Sequence, residues 1–437
     1  MTLVEKFFKM EEECDLFSIK TEDGLPLWDI IRMHVYLKYH FPEITQPDVM
    51  EQNKLTKIWQ HLLGLSKSIF YMLTKKSDNL ILPTSRYRDS NGLYFDKAAM
   101  NVIEYFGKNC FIIEWHDNNK KYRYQSANNY VSILQKFRKK RVELDKTSYN
   151  FIEETLKKYL NKCRVTYNEI NDVLETFRSE YYSYSKLLKL KKFKRIFITQ
   201  NGLQKGLIKA AINSKIKVYE FQHGSFEKDH LTYSYPKMIN CNSNIIFPDY
   251  LLTYSDYWGS YFNVPAKKVI PIGNDYFNIK IEGKSNDENI LVISSMIHGH
   301  ELAPLTIELA KIYPEKNFTF KLHSNEYRMV DLYRKQFSEF NNITLITNET
   351  SIPELLSECE LVILINSTVI YETLNQNKKV VIFKRGNYFI PHNNNQFVNL
   401  FYLDISEDLN EILNTKINKT YSTFFKPFDL ELFLSVL

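Results

Sequence analysis

Glycine is scarce in this chain, at 12 of 437 residues. That scarcity argues against a glycine-periodic fibre or a repeat architecture. Cysteine is scarcer still, with five residues at Cys14, Cys110, Cys163, Cys241 and Cys359. They are scattered, odd in number and never spaced C-x-x-C. Neither a disulfide framework nor a zinc site is expected, and a reducing compartment suits them. No apolar run reaches the roughly 18 residues needed to span a bilayer. The opening MTLVEKFFKMEEECD is too charged to serve as the core of a secretion signal. An excess of charge of one sign is missing too, since 57 Lys and Arg meet 51 Asp and Glu for a net +6. That balance is too mild to imply nucleic acid. A cytoplasmic protein is expected.

What is present is enough apolar material for a large core. The chain is 44% hydrophobic and 25% charged, close to ordinary globular composition, and its length suits two or three domains. Thirty Tyr and thirty Phe are explained first by coding bias. Basic residues cluster at 136–141 (KFRKKR) and 186–195 (KLLKLKKFKR). Such runs usually coat a solvated helix face; the sharper reading is attraction to an anionic membrane surface or a phosphate-bearing acceptor. The segment Ile58 to Leu73, IWQHLLGLSKSIFYML, is strongly apolar but broken by His61 and Lys67. It reads as a buried helix, with an interfacial helix on a membrane as the other reading.

Short β-rich apolar runs alternate with helical patterns. The first set is NLILP (79–83), CFIIEW (110–115), RIFITQ (195–200), KVYEFQ (217–222), YLLTY (250–254) and VIPIG (269–273). After the polar stretch EGKSNDE (282–288) come NILVIS (289–294), FTFKL (318–322), ITLI (343–346), LVILI (361–365) and KVVIF (379–383). Continuous apolar strands separated by helices mark parallel sheets covered on both faces. Two doubly wound α/β domains are therefore expected, over 1–278 and 279–404, with a helical insertion at about 121–190. A helical tail over 405–437 is expected to pack back toward the first domain.

Ligands of open α/β sheets bind beyond the carboxyl ends of the strands, so the residues just after each strand are the candidates. Gln222-His223-Gly224 ends the fourth strand. A neutral imidazole there can take a proton from an attacking sugar hydroxyl, or can merely brace the strand end through hydrogen bonds. Gln200-Asn201-Gly202 follows the third strand and opens a helix, where backbone N–H groups suit an anionic or hydroxylated ligand. Arg86 and Arg88 follow the first strand; they are acceptor-phosphate candidates or plain surface arginines. In the second half, Lys321 and His323 share a face of an extended segment, with Ser324 and Glu326 beyond. They could hold a diphosphate and a ribose. Asn366-Ser367-Thr368 opens a helix that carries Glu372 one turn on, a pattern that suits a helix cap or phosphate and ribose recognition without a metal. Ser295, after the first strand of this half, could line the same site. His298 and His300 resemble metal ligands, but an H-x-H pair is more often not a metal site, so no metal is expected.

Taken in order, EFQHG (220–224), HLTYSYP (230–236), FPDYLLTYSDYW (247–258) and IPIGNDYF (270–277) resemble bacterial surface-polysaccharide glycosyltransferases. GLPLWDIIR (24–32) resembles the W-x-x-x-R opening of the same proteins. KLHSNE (321–326) and NSTVIYE (366–372) resemble the His-Pro and Ser motifs of polysialyltransferases and CDP-glycerol phosphotransferases, which bind the nucleotide donor. The resemblance spans nearly the whole chain. It implies a GT-B architecture, two Rossmann-like domains facing a central cleft, with an acceptor-binding first domain and a nucleotide-sugar-binding second. His323 and Ser324 match the His-Pro motif, although serine stands where the family has proline. Ser367 and Thr368 match the Ser motif, Glu372 its trailing acid, and His223 the QHG histidine.

The implied activity is metal-independent transfer of a sugar, from a CMP-sugar as the first expectation, to a surface-polysaccharide or lipid-linked glycan. His223 would be the base, and Lys321, His323, Ser324, Glu326, Ser295, Asn366, Ser367, Thr368 and Glu372 would hold the donor. Arg86, Arg88, Gln200, Asn201 and Gln222 would meet the acceptor. No cofactor is expected beyond the nucleotide-sugar co-substrate and no nucleic acid partner; peripheral contact with the cytoplasmic face of the inner membrane is the second reading of location. Three other readings stay open at this point: a CDP-polyol phosphotransferase, a sugar-nucleotide epimerase and a non-catalytic assembly partner.

Overall fold

A computed structural model describes residues 3–40, 68–89, 91–115, 120–129, 143–161, 164–278, 286–295, 298–347, 350–385, 388, 390–391, 394–404, 409–417 and 423–437. The basic run at 136–141 and most of the 58–73 segment lie outside them. The chain forms two compact units, one of Met1–Gly273 with Phe428–Leu437 and one of Asn274–Pro427.

The first unit is built on seven parallel strands: β1 (Asn79–Leu82), β4 (Cys110–Trp115), β5 (Ala127–Asn129), β6 (Arg195–Thr199), β7 (Lys217–Phe221), β8 (Tyr250–Leu252) and β9 (Lys268–Ile270). A small antiparallel hairpin, β2 (Tyr87–Arg88) and β3 (Tyr94–Phe95), follows β1. The sheet order is β5-β4-β1-β6-β7-β8-β9. Side chains alternate across the strands, and the two faces sort accordingly. Leu80, Leu82, Ile196, Ile198 and Val218 pack with helices Leu27–His40 and Tyr167–Leu190. Ile81, Phe197, Tyr219 and Phe221 pack on the other face with Val102, Ile103 and Phe433. Burial on both faces is why these strands read as unbroken apolar runs.

The second unit repeats the plan with β10 (Asn286–Ile293), β11 (Asn317–Lys321), β12 (Ile343–Ile346), β13 (Cys359–Leu364), β14 (Lys379–Phe383) and β15 (Leu400–Leu403). All pairings are parallel, in the order β12-β11-β10-β13-β14-β15. Ile290, Val292, Phe320 and Ile363 face helices Gly299–Ile312 and Val330–Phe337. Leu291, Val362, Leu364 and Val380, on the opposite face, are equally buried. Counted within each unit, both sheets contain the order 3-2-1-4-5-6 of the dinucleotide-binding folds, so the α/β, Rossmann-like expectation holds for each.

Three parts of the sequence reading need correction. The 121–190 insertion is not wholly helical, because Ala127–Asn129 adds an edge strand beside β4 before helices Lys146–Tyr159 and Tyr167–Leu190. Three residues with no apolar run gave no periodic signal. Leu400–Leu403 likewise forms a sixth strand in the second unit. Residues up to Pro427 stay with that unit, and only Phe428–Leu437 joins the first.

Candidate functional site

Both sheets reverse strand order between their first and fourth strands, and a ligand crevice opens at such a switch point. In the first unit the reversal lies between β1 and β6. Thr84, just past β1, and Thr199, the last residue of β6, meet there on one carboxylate: Asp96 accepts from Thr84 N at 2.6 Å and Thr199 Oγ1 at 2.7 Å. Beside them Ser85 Oγ donates to Glu114 at 2.6 Å. Burial pushes the Glu114 carboxyl up to about 8 and raises that of Asp96. Gln200 follows β6 with φ 68°, ψ 80°, a left-handed conformation that costs a non-glycine residue about 1 kcal/mol or more. Its side chain accepts from Arg86 at 2.7 Å on the exposed surface. The structure thus brings together two of the five expected acceptor residues.

The next strand carries the histidine. Glu220, within β7, is wholly buried, and its carboxylate accepts from Asn201 N at 2.9 Å, Asn201 Nδ2 at 2.7 Å and Tyr233 Oη at 2.7 Å. Tyr233 Oη also lies 3.2 Å from His223 Nδ1. Burial lowers the His223 imidazole to about 3, and His230 and Arg86 push the same way. His223 is therefore neutral at pH 7. Burial raises Glu220 to about 7, against the hydrogen bonds from Tyr233 and Asn201.

The HLTYSYP loop that supplies Tyr233 is held by the W-x-x-x-R helix. Arg32, 1% exposed, donates to the carbonyls of Leu231 and Ser234, pairs with Glu11 at 2.5 Å and lies 4.3 Å from the Tyr235 ring centroid. Trp28 Nε1 donates to the same Glu11 at 2.9 Å. Asp29 accepts from Lys205 at 3.0 Å and from Ile246 N at 2.6 Å. The two motifs are thus one buried clamp placing Tyr233 beside Glu220 and His223.

Two of the expected acceptor residues are structural. Gln222 is fully buried; it donates to Gly224 O at 2.8 Å and accepts from Tyr254 N at 2.9 Å, so it braces the turn rather than meeting a ligand. Asn201 is buried and spends its donors on Glu220, and a 3-10 turn separates it from the helix Lys205–Asn213 that it was expected to open. Arg88 lies in the hairpin, exposed, reaching Gly92 O at 3.4 Å and the Tyr94 ring.

In the second unit the switch point falls between β10 and β13. Ser294 and Ser295 follow β10, and Asn366, Ser367 and Thr368 lie just past β13. Asn366 and Thr368 are exposed, while Ser295, Ser367 and Glu372 are half-buried. Ser367 Oγ accepts from Val369 N at 3.3 Å, and Thr368 is the N-cap residue without a side-chain cap. His323 and Ser324 are exposed past β11. Two donor-binding expectations fail on burial. Lys321 gives its ammonium to the carbonyls of Thr347 and Thr350, and so does not present it with His323. Glu326, 2% exposed, accepts from Ser294 Oγ at 2.7 Å, His323 N at 3.1 Å and Tyr333 Oη at 2.8 Å. It shapes the His323 loop. Gly299 allows this packing, since a Cβ there would stand 1.9 Å from Glu326 Oε1. Among the described residues no group of three or more His, Cys, Asp or Glu is placed to hold a metal ion.

Residues 301–392 match the capsule polysaccharide biosynthesis protein family. The match covers part of the second unit. The resemblance to surface-polysaccharide proteins is borne out there, and the matched segment includes His323, Ser324, Ser367, Thr368 and Glu372. No curated protein matches the chain. Among solved structures, the UDP-GlcNAc 2-epimerase of Methanocaldococcus jannaschii is 14% identical, with 80% of this chain and 95% of that chain covered and a TM-score of 0.47. Anabaena HepE with UDP and glucose is 14% identical, over 82% and 97% of the two chains, with a TM-score of 0.44. The lipopolysaccharide outer core galactosyltransferase WaaB is 11% identical, over 77% and 87%, with a TM-score of 0.41. The functional reading rests on the family match and on this chain's own residues.

The sequence reading gave no site role to Asp96, Glu114, Glu220 or Tyr233. The signal for two of them was present: KVYEF and CFIIEW each place one glutamate, next to last, in an otherwise apolar strand. A buried charge at a strand's carboxyl end needs partners, and partners there lie at the site. Tyr233, one of thirty tyrosines, carried no such mark.

Proposed function

We propose that the protein is a glycosyltransferase of surface-polysaccharide synthesis, moving a sugar from a nucleotide donor to a glycan acceptor with His223 as base. The observation that carries this is the neutral His223 just past the carboxyl end of β7, held by Tyr233 and Glu220 in the first unit, together with the family match over 301–392. The acceptor hydroxyl oxygen bonds to the anomeric carbon as the bond to the donor phosphate breaks; the hydroxyl proton passes to His223 and the nucleotide leaves with the electron pair. Ser295, His323, Ser324, Ser367 and Thr368 meet the nucleotide, and Arg86 with Gln200 meets the acceptor.

A CMP-sugar remains the first donor to try. Thermal shift with CMP, CDP, UDP and GDP tests it, because a ligand at 100 times its dissociation constant adds about 2.7 kcal/mol. Expected is a shift with CMP that shrinks in Ser367→Ala. A shift with UDP alone would replace the donor. Product carrying a phosphodiester, or a UDP-sugar converted without acceptor, would replace the reaction. Contact with the inner-membrane face is supported by Phe70, Leu73 and Leu190, exposed by 67%, 76% and 78%, near Lys75, Lys76, Lys189 and Lys192. Lys191 Nζ donates to Lys75 O at 3.0 Å, which brings these segments together. No helix among the described residues is long and apolar enough to cross a membrane. Salt-sensitive sedimentation with anionic vesicles is expected, and none in low salt would end this part of the reading.

A further inference from the structure

The bonds around Tyr233 constrain where His223 carries its hydrogen. A phenol has one hydrogen to give. Glu220 Oε1 lies 2.7 Å away and an ionised carboxylate can only accept, so the Tyr233 hydrogen goes to Glu220. The oxygen then offers only lone pairs to His223 Nδ1 at 3.2 Å. Nδ1 must be the donor in that contact. We propose that Tyr233 and Glu220 are positioning residues that fix His223 as the Nδ1–H tautomer and leave the Nε2 lone pair for the acceptor hydroxyl. This rests on the reading of His223 as base.

The arrangement reverses when Glu220 takes a proton. A carboxylic acid can donate to Tyr233, Tyr233 can then donate to Nδ1, and the imidazole hydrogen moves to Nε2, where it silences the base. Several groups face the set, among them the Phe221 carbonyl, which accepts from the His223 ring. Lys205 acts on Glu220 from the helix Lys205–Asn213, itself paired with Asp29; Tyr254 faces Tyr233; His230 and Arg86 face His223. Burial lowers His230 to about 4 and His223 further, so both are uncharged near neutrality, whereas Glu220 sits at about 7. Within this set Glu220 is the group that changes charge there. Asn201 holds the carboxylate by two bonds, and Arg32 grips the carbonyls of Leu231 and Ser234 on either side of Tyr233. Neither partner needs to move for the switch to operate.

The test is long-range 15N NMR of the histidines in the full chain, His223 being identified by the signal lost in His223→Ala. The wild type is expected to show Nδ1–H at pH 8 and to shift toward Nε2–H as pH falls below about 7. Tyr233→Phe and Glu220→Gln are expected to lose the Nδ1–H preference. In transfer assays both should lose the acid limb of kcat/KM and drop kcat roughly 10- to 100-fold, with KM for the donor unchanged. An Nε2–H imidazole in the wild type at pH 8 overturns the proposal, and that measurement needs no variant to fold. So does an unchanged acid limb in Glu220→Gln. If the tautomer is as stated but His223→Ala transfers at the wild-type rate, the base reading falls and the tautomer assignment stands.

Discussion

The two units use one strand order for different ends. Past its switch point the first unit gathers buried ionisable groups, Asp96, Glu114, Glu220 and His223, with protonation shifted by burial. At the corresponding strand ends the second unit presents hydroxyls and an exposed histidine, and folds its charged residues Lys321 and Glu326 inwards as scaffold. A shared topology supplies the place for a ligand, while the residues that end each strand decide the chemistry. Groups tuned by burial suit proton movement. Hydroxyls at a helix start suit holding a nucleotide.

Breaking the first unit's scaffold should cost most. Arg32→Met leaves the buried Glu11 without its ion-pair partner and frees the Tyr233 loop, for an expected loss of about 3–5 kcal/mol in chemical denaturation. A variant as stable as wild type would show that the clamp does not hold the loop. In the second unit, Gly299→Ala pushes a methyl into Glu326 and Tyr333. It should cost about 1–3 kcal/mol and raise the donor KM while sparing acceptor affinity. Equal damage to both would blur the division of labour.

The smallest effect sharpens the contrast in ionisation. Glu114 keeps its proton up to about 8 in the folded chain, well above its ordinary value of 4.5. The folded state therefore holds a proton that the unfolded state has lost, and stability declines as pH rises between those values. Glu220 and Glu180, each raised by burial to about 7, act in the same direction. Glu114→Gln should flatten the decline by about 1–2 kcal/mol between pH 5 and 8.5. An identical slope would mean that Glu114 is already ionised.

Most of the fold was legible because strands buried on both faces need continuous apolar runs, and eleven such runs fall on strands of the two sheets. Ala127–Asn129 escaped because an edge strand of three residues, two of them asparagine, needs no such run. At the site, His223 was legible from its place after a strand and before a glycine. The roles of Gln222, Asn201, Lys321 and Glu326 were not, because each polar side chain turns inward to backbone or side-chain partners that only the tertiary structure supplies. Conversely, Trp28 and Arg32 stood out as a motif but act through Tyr233, about 200 residues away in sequence.

The most direct test separates the two units' tasks in one variant. His223→Ala should bind the donor nucleotide as wild type does, read by thermal shift, yet transfer sugar about 100- to 10,000-fold more slowly. Wild-type transfer by His223→Ala, or loss of nucleotide binding together with transfer, would contradict the assignment of proton chemistry to the first unit and donor binding to the second.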